Sequence, residues 1–175
     1  MSYSIRKCEY RDIPDIEILI PLSARILQAQ HYSESLIEAA LGPVFGVDRQ
    51  LIEDETYYVA ESKGRVVACG GWSRRARLFG GSDIEDTLLD PAHHAARIRA
   101  FFVHPDFARQ GIATALMQAS EKAALEAGFK RIDIVATLPG EPLYARFGYD
   151  VVERYEISTG TDEMMPVVRM SKSFE

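Results

Sequence analysis

The chain has 175 residues, of which 47% are hydrophobic and 26% are charged, and its formal net charge is −6. This length supports a hydrophobic core and excludes two domains of ordinary size, so we expect a single domain over residues 1–175. The negative charge disfavours non-specific binding to nucleic acid. An early apolar run, residues 16–22, is interrupted by Glu17 and Pro21 and is too short to cross a bilayer.

The chain contains two cysteines, Cys8 and Cys69. This number does not indicate a disulfide framework, and residues 1–7 lack the apolar core of a signal peptide. We therefore expect a reduced, cytoplasmic protein that does not associate with membranes or nucleic acid.

The first half of the chain predicts a strand, two helices and a hairpin. Residues 3–8 alternate as in a strand, and Asp12 is a candidate cap for a helix that reaches about residue 30. A second helix is predicted over residues 34–41, before a Gly-Pro pair. Residues 56–61 and 65–72 read as the two strands of a hairpin.

Glycines and arginines mark the end of this hairpin. Gly70 and Gly71 lie inside the second strand, which indicates a bulge or the close approach of another backbone. Arg74, Arg75 and Arg77 follow, and we interpret them as a solvated strand edge, with an anion-binding role as the alternative. Residues 79–95 are polar and irregular, as functional loops often are.

The second half alternates strands with helices. Strands are predicted over residues 97–103, 131–136, 149–157 and 164–170, and helices over 111–127 and 142–147. One stripe of the longer helix is mostly alanine, at Ile112, Ala115, Leu116, Ala119, Ala123 and Ala127, which indicates close packing against a sheet. The order of elements predicts a layered α/β (α+β) fold in which helices flank a mixed, mostly antiparallel central sheet.

The segment from residue 97 to residue 116 carries most of the functional information. It reads as an apolar strand, a proline turn, a short loop, and a helix that starts at Gly111. Free backbone N–H groups at such a helix start, together with the positive end of the helix dipole, form an anion site that suits phosphate. An ordinary helix start is the alternative interpretation.

Three motifs occur in a recognisable order around this helix. They are Phe102-Val103-His104-Pro105, Arg109-Gln110-Gly111-Ile112-Ala113 and Leu143-Tyr144-Ala145-Arg146-Phe147-Gly148-Tyr149. Together they resemble the end of the fourth strand, the pyrophosphate loop and the late tyrosine-bearing helix of the GCN5-related N-acetyltransferase superfamily. The resemblance covers most of the chain, is strongest from Ala100 to Tyr155, and implies the acyl-CoA N-acyltransferase fold.

The resemblance implies that acetyl-CoA is the co-substrate. Its pyrophosphate would accept hydrogen bonds from the backbone N–H groups of Arg109, Gln110, Gly111, Ile112, Ala113 and Thr114. Its pantetheine arm would pair with the backbone of Phe101, Phe102 and Val103, much as an added strand would. A backbone N–H nearby would hold the oxyanion of the tetrahedral intermediate.

Tyr144 is the candidate catalytic residue that the resemblance implies. A phenol with a pKa of about 10 is protonated at neutral pH and can donate a hydrogen bond to the thiolate that leaves. A tyrosine packed on a short helix is the alternative interpretation.

The general base is left open by the sequence. Some members of the superfamily carry a glutamate on the fifth strand, where this chain offers only Asp133, and His104 follows a strand at a turn that favours solvent exposure. Glu85, Asp86 and Glu141 are candidates to line the acceptor cleft, and a chain of water molecules is an equal alternative.

Other departures from the superfamily pattern concern single positions. Ala108 stands where an arginine or glutamine is frequent, and residues 137–142 stand where many members have an asparagine that contacts the pantetheine arm. His93 and His94 are adjacent and point in different directions on most backbones, so no metal is expected.

These features predict an acetyl-CoA-dependent N-acetyltransferase that acts on a primary amine of a small molecule, with a protein amine as a second acceptor class. Direct attack in a ternary complex is expected, because no cysteine is near the site motifs to form an acyl-enzyme. The alternatives are a non-catalytic acyl-CoA-binding sensor or partner module, and a transferase for a longer acyl group. A homodimer is suggested by the resemblance alone.

Overall fold

A computed structural model describes residues 2–79 and 85–174. Within these residues the chain forms one seven-stranded sheet and five α-helices. The strands are β1 (Ser4–Lys7), β2 (Tyr57–Ser62), β3 (Arg65–Ser73), β4 (Ala96–Val103), β5 (Arg131–Thr137), β6 (Asp150–Ser158) and β7 (Met164–Ser173). The helices are α1 (Ile13–Leu27), α2 (Glu34–Ala40), α3 (Arg49–Glu53), α4 (Ile112–Glu126) and α5 (Glu141–Arg146).

The strand order in the sheet is β1-β2-β3-β4-β5-β7-β6. Only the β4–β5 pair is parallel, and the other neighbours are antiparallel. The predicted mixed, mostly antiparallel sheet is therefore confirmed, together with the predicted order of elements. The one added α-helix, α3, has five residues, which is too short for a helical hydrophobic period to be read from the sequence.

Apolar side chains form a core on each face of the sheet. In β7, Val167 packs with the cluster that includes Ile16 of α1, whereas Val168 packs with the cluster that includes Met117 of α4. Adjacent strand residues point to opposite faces, so one apolar strand contributes to both layers.

The buried face of α4 differs from the predicted alanine stripe. The buried face includes Ile112, Leu116, Met117, Ser120 and Ala124, while Ala119, Ala123 and Ala127 are only half-buried. The large Leu116 and Met117 side chains fill the core, and the small Ser120 and Ala124 let the helix approach the sheet.

Asp12 does not cap α1 with its side chain. Its carboxylate instead accepts from the backbone N–H of Glu9 and from both terminal guanidinium nitrogens of Arg6, each at 2.8 Å. The start of α1 is thereby tied to β1. The Asp12 carboxylate is buried, whereas the Arg6 side chain is partly exposed, so one half of the pair stays in contact with water.

Gly71 confirms the predicted close approach of another backbone, and Gly70 lies at the alternative that was also predicted, a bulge. A Cβ atom on Gly70 would lie 2.5 Å from the ring of Phe101, and one on Gly71 would overlap the carbonyl oxygen of Thr56. The ladder between β3 and β4 is also irregular between Cys69 and Gly71.

The arginine run does not extend the strand, because β3 ends at Ser73. Arg75 forms two hydrogen bonds with Asp54, at 2.7 and 3.0 Å, and Arg74 lies over the ring of Trp72. The solvated-edge interpretation was therefore wrong for Arg75, which is ion-paired. Residues 85–95 contain no helix or strand, and residues 80–84 of the irregular stretch lie outside the described residues. Among the helices described, none is both long and apolar enough to cross a membrane.

Candidate active site

A cleft opens where β4 and β5 separate. The two strands pair only from Ala96 to Ile98 on β4, opposite Ile132 to Ile134 on β5. On its other side β4 stays paired with β3 as far as Val103. From residue 99 onwards, β4 therefore presents one backbone edge to the cleft, where an extended ligand can form hydrogen bonds.

A β-bulge shapes this open edge. Cys69 pairs with Phe102 and Gly71 pairs with Arg99, so two residues of β4, Ala100 and Phe101, lie opposite Gly70 alone. Ala100 has a φ of 60°, which is unusual for a residue with a side chain. A bulge leaves one residue outside the ladder and bends its strand, so it re-aims backbone groups at the cleft.

The loop before α4 has the geometry of an anion site. Arg109 and Gly111 both have positive φ, at 61° and 82°. The first helical N–H with a backbone acceptor is that of Ala115, which donates to the carbonyl of Gly111 at 3.0 Å. Within the described residues no acceptor is found for the N–H groups of residues 109–114. A Cβ on Gly111 would meet no protein atom within 4 Å, so the space above the loop is open.

Tyr144 lies on α5 with 7% of its surface exposed. Its ring packs edge-on against that of Tyr149, with the centroids 6.4 Å apart. Its hydroxyl has no hydrogen-bond partner among the residues that the structure describes. Burial raises the pKa of Tyr144, so the phenol stays protonated and available as a donor at neutral pH.

One cavity of about 340 Å³ connects the open edge of β4 with Tyr144. Phe101, Phe102 and Tyr144 all line it, so the structure brings together three of the residues that the motifs predict. Phe102 also packs edge-on against Phe45, with the centroids 5.7 Å apart. Val103 instead packs into the cluster beneath α4. The 109–114 loop is not part of this cavity wall, which is consistent with separate places for a reacting group and a phosphate.

A charged cluster also lines the cavity, and the sequence analysis named Asp86 in it but missed Arg99 and Asp48. Arg99, whose side chain is 3% exposed, lies between Asp48 and Asp86. Its Nη1 donates to Asp86 at 3.2 Å and its Nη2 to Asp48 at 3.3 Å. Its Nε lies 2.9 Å from Asp48 but is not aligned for a hydrogen bond. These residues come from β4, the cap of α3 and a loop, so no local motif joins them.

The two candidate general bases, Asp133 and His104, lie at different places in the structure. Asp133 is buried and accepts from Ser171 at 2.6 Å, with Arg97 and Arg169 within 4 Å, and it does not line the cavity. His104 uses its Nδ1 to cap the turn that follows β4, at 3.1 Å from the N–H of Asp106.

Only one of the three acids proposed for the acceptor cleft reaches the cavity. Asp86 lines it, whereas Glu85 does not. Glu141 forms two hydrogen bonds with Arg154, at 2.9 and 2.7 Å, outside the cavity.

Cys69 corrects the expectation that no cysteine lies near the site motifs. Its thiol is 3.6 Å from the carbonyl oxygen of Ala100, directly behind the bulge. The side chain is fully buried, and desolvation raises the pKa of Cys69 to about 12. A thiol in this state is not a nucleophile at neutral pH.

The adjacent histidines both contact Asp90, a residue of their own loop. His94 accepts from the N–H of Asp90 at 2.9 Å, and His93 lies 3.8 Å from the carboxylate of the same residue. Across residues 2–79 and 85–174, no three His, Cys, Asp or Glu side chains are grouped as a metal site.

Comparisons with known proteins agree with this architecture. The structure of a GCN5-related N-acetyltransferase from Rhodopseudomonas palustris superposes with a TM-score of 0.73 at 21% identity, covering 99% of this chain and 96% of that chain. The PaiA N-acetyltransferase from Thermoplasma acidophilum, solved in complex with coenzyme A, superposes with a TM-score of 0.69 at 16% identity, covering 99% of both chains. The ribosomal-protein-S18-alanine N-acetyltransferase from Escherichia coli superposes with a TM-score of 0.62 at 16% identity, covering 99% and 94%.

These identities are low, so the superpositions show a shared fold. The comparison with curated protein sequences found no match. A sequence model described as the acetyltransferase (GNAT) family matches residues 25–149, which is more than half of the chain. With the open β4 edge, the loop at Gly111 and the seven-stranded sheet in place, this match shows that the chain belongs to the acetyltransferase (GNAT) family.

Proposed function

We propose that this protein is an N-acetyltransferase that moves the acetyl group of acetyl-CoA to a primary amine of a small molecule. The observation that carries the proposal is that the unpaired edge of β4 and the unpartnered hydroxyl of Tyr144 meet at one cavity. Residues 1–175 act as one domain in this proposal.

Coenzyme A is proposed to span the cleft from the α4 loop to the cavity. The free N–H groups of residues 109–114 bind its pyrophosphate, helped by the positive end of the α4 dipole. The backbone of Phe101, Phe102 and Val103 pairs with the pantetheine arm. The complex of PaiA with coenzyme A, which has the same fold, supports this donor.

The reaction is proposed to proceed by direct attack. The neutral amine nitrogen forms a bond to the thioester carbonyl carbon, and the negative charge that develops on the carbonyl oxygen is stabilised by a backbone N–H of the bulge at Ala100. The C–S bond then breaks, the nitrogen loses its extra proton to water, and the Tyr144 hydroxyl donates a hydrogen bond to the departing thiolate. Because Tyr144 is protonated and buried, its hydroxyl stays available as a hydrogen-bond donor throughout this step.

A proton must leave the ammonium form of the acceptor before attack. Asp86 and Asp48 each form an ion pair with Arg99, so both carboxylates are already engaged. Asp133 is engaged by two arginines outside the cavity. We therefore propose that water, which enters through the open side of the cavity, removes this proton.

The substitution Tyr144→Phe tests the proposal. With a panel of primary amines and acetyl-CoA, release of free thiol should depend on the amine, and the variant should lose about ten-fold or more in kcat. Its affinity for coenzyme A should be unchanged, because the lost hydroxyl contacts the reacting sulfur alone. Coenzyme A binding without transfer to any amine would favour the sensor alternative, and an unchanged kcat would remove Tyr144 from the mechanism.

A further inference from the structure

Tyr149 follows α5 and contacts Tyr144 through both its backbone and its ring. Gly148, with a φ of 93°, ends the helix in the left-handed region. The N–H of Gly148 donates to the carbonyl of Ala145 at 3.0 Å, and that of Tyr149 donates to the carbonyl of Tyr144 at 3.1 Å. These two bonds form a Schellman motif, in which the residue after the glycine packs back on the last turn of the helix. The edge-on contact between the two tyrosine rings is therefore built into the end of α5.

The hydroxyl end of Tyr149 is held by a buried carboxylate. Tyr149 is 2% exposed, and its hydroxyl donates to Oε2 of Glu121 on α4 at 2.8 Å. Lys172 of β7 brings its Nζ to 3.2 Å from the same oxygen. Burial and the Glu121 carboxylate raise the pKa of Tyr149, so its hydroxyl stays protonated as the donor. Hydrogen bonds to a carboxylate are stronger than those between neutral groups, so the Tyr149 ring is fixed at both of its ends.

Tyr144 has no polar anchor of this kind. Its hydroxyl has no hydrogen-bond partner within residues 2–79 and 85–174. The helix that carries it has six residues, and a helix this short depends on tertiary contacts for its position. Gly140 borders the Tyr144 ring, because an added Cβ there would lie 3.1 Å from its Cε2. The direction of the Tyr144 hydroxyl is therefore set by packing, and the ring of Tyr149 is a part of that packing that a hydrogen bond ties to α4.

This hydrogen bond also joins the two ends of the proposed coenzyme A site. Glu121 lies on α4, which begins at the loop of Gly111, and Tyr149 ends the turn after α5. Lys172 already balances the charge of Glu121, so the hydroxyl of residue 149 is not needed for that purpose. What the hydroxyl adds is a fixed orientation of the ring that packs against Tyr144.

From this arrangement we propose that Tyr149, held by its hydrogen bond to Glu121, is a positioning residue for the hydroxyl of Tyr144. The proposal rests on the proposed function, in which the Tyr144 hydroxyl donates to the departing thiolate. It adds that a residue outside the cavity wall orients this donor. Misplacement of a group that acts in the reacting step lowers the rate of that step, so the effect should fall on kcat.

The substitution Tyr149→Phe removes the hydroxyl and keeps the ring. We expect kcat to fall about five-fold, while the KM for acetyl-CoA changes by less than about two-fold. The control is Ser171→Ala, which also removes a hydroxyl that donates to a buried carboxylate, that of Asp133 at 2.6 Å, outside the cavity. Ser171→Ala should leave kcat unchanged. Equal losses of kcat in the two variants, or no loss in Tyr149→Phe, would overturn the proposal.

A double-mutant cycle with Tyr144→Phe separates positioning from general structural support. Because Tyr149 acts through the Tyr144 hydroxyl, Tyr149→Phe should lower kcat by less than about two-fold once that hydroxyl is gone. The same fold-loss in both backgrounds would limit Tyr149 to a structural role and overturn the proposal. Glu121→Gln keeps an amide oxygen that accepts the hydrogen bond, so it should retain more of the kcat than Glu121→Leu. Equal kcat values for these two variants would overturn the role of Glu121.

Failure of the proposed function has a different signature. A loss of kcat in Tyr144→Phe with none in Tyr149→Phe would contradict positioning and leave the enzyme assignment standing. Absence of transfer to every amine would contradict the enzyme assignment, and positioning is then read from ¹⁹F NMR of the chain labelled with 3-fluorotyrosine. The signal that Tyr144→Phe removes should shift or broaden in Tyr149→Phe and stay in place in Ser171→Ala. An unmoved Tyr144 signal in Tyr149→Phe would overturn the proposal whether or not transfer occurs.

Discussion

The hydroxyl of Tyr57 donates to the carbonyl oxygen of Ala100 at 3.3 Å, from β2 across β3 to β4. Tyr57 is fully buried, and the thiol of Cys69 approaches the same oxygen. A non-glycine residue with positive φ stores about 1–3 kcal/mol and persists only where its surroundings hold it. The shape of the cleft edge at Ala100 therefore depends on a residue that does not line the cavity.

Replacement of Tyr57 should reduce kcat more than it weakens the binding of acetyl-CoA. Tyr57→Phe removes a buried hydroxyl that lies 3.3 Å from both the Ala100 oxygen and the Cys69 sulfur, and we expect a loss of about 1 kcal/mol in the free energy of unfolding measured with urea. We expect kcat to fall about ten-fold while the KM for acetyl-CoA changes little, because the bulge supplies the oxyanion contact. Tyr10→Phe, at an exposed tyrosine, is the control. An unchanged kcat together with the expected stability loss would limit Tyr57 to a structural role.

The loop at Gly111 can be tested with a second glycine of matched conformation. Gly111 and Gly160 have φ of 82° and 85°, and a Cβ on either would meet no atom within 4 Å. Alanine at each position should therefore cost a similar ~1 kcal/mol of backbone strain in urea unfolding. Only Gly111→Ala should also weaken coenzyme A binding, by about ten-fold or more, because its methyl group enters the phosphate space. Equal coenzyme A affinities of the two variants would place the phosphate elsewhere.

Much of the fold was readable from the sequence because its signals are local. Alternation marks the strands, and glycines such as Gly128, with a φ of 97°, mark the ends of helices. Two features depend on tertiary packing and were misread. Asp12 sits where a helix cap is expected, yet Arg6 on a separate strand engages its carboxylate. The side of α4 that is buried is decided by Met117, which fills the core between the helix and the sheet.

The candidate site also has one part that local motifs predict and another part that only the folded chain brings together. The Gly111 loop and Tyr144 belong to contiguous motifs, so spacing along the chain revealed them. Asp48, Asp86 and Arg99 come from three separate segments and meet only in the folded chain. One signal was available for Arg99, because a charged residue at an alternate position of an apolar strand must find a partner when it is buried. The sequence does not say which carboxylates provide that partner.

The Arg6–Asp12 pair should make stability depend on pH. The hydrogen bond from Arg6 lowers the pKa of Asp12 below its usual value. A lowered pKa means that the contribution is complete above the unfolded value of about 3.9 and is lost as pH falls through the folded value. Asp12→Asn should cost about 2 kcal/mol at pH 7 in urea unfolding and should flatten the loss of stability between about pH 5 and pH 2. Asp15→Asn, at an exposed position on α1, should change stability by less than about 0.5 kcal/mol.

The thiols of the two cysteines should be unreactive in the native protein. Burial raises the pKa of Cys8 and of Cys69 to about 12, so the thiolate that reacts is scarce at pH 8. A thiol reagent should therefore modify neither cysteine in the folded chain and both after unfolding in urea. Incubation with radiolabelled acetyl-CoA followed by denaturation should leave no label on the protein, because direct attack forms no acyl-enzyme. Label that Cys69→Ser abolishes would contradict both the buried state of this thiol and the ternary-complex mechanism, whereas label retained by that variant would identify another nucleophile.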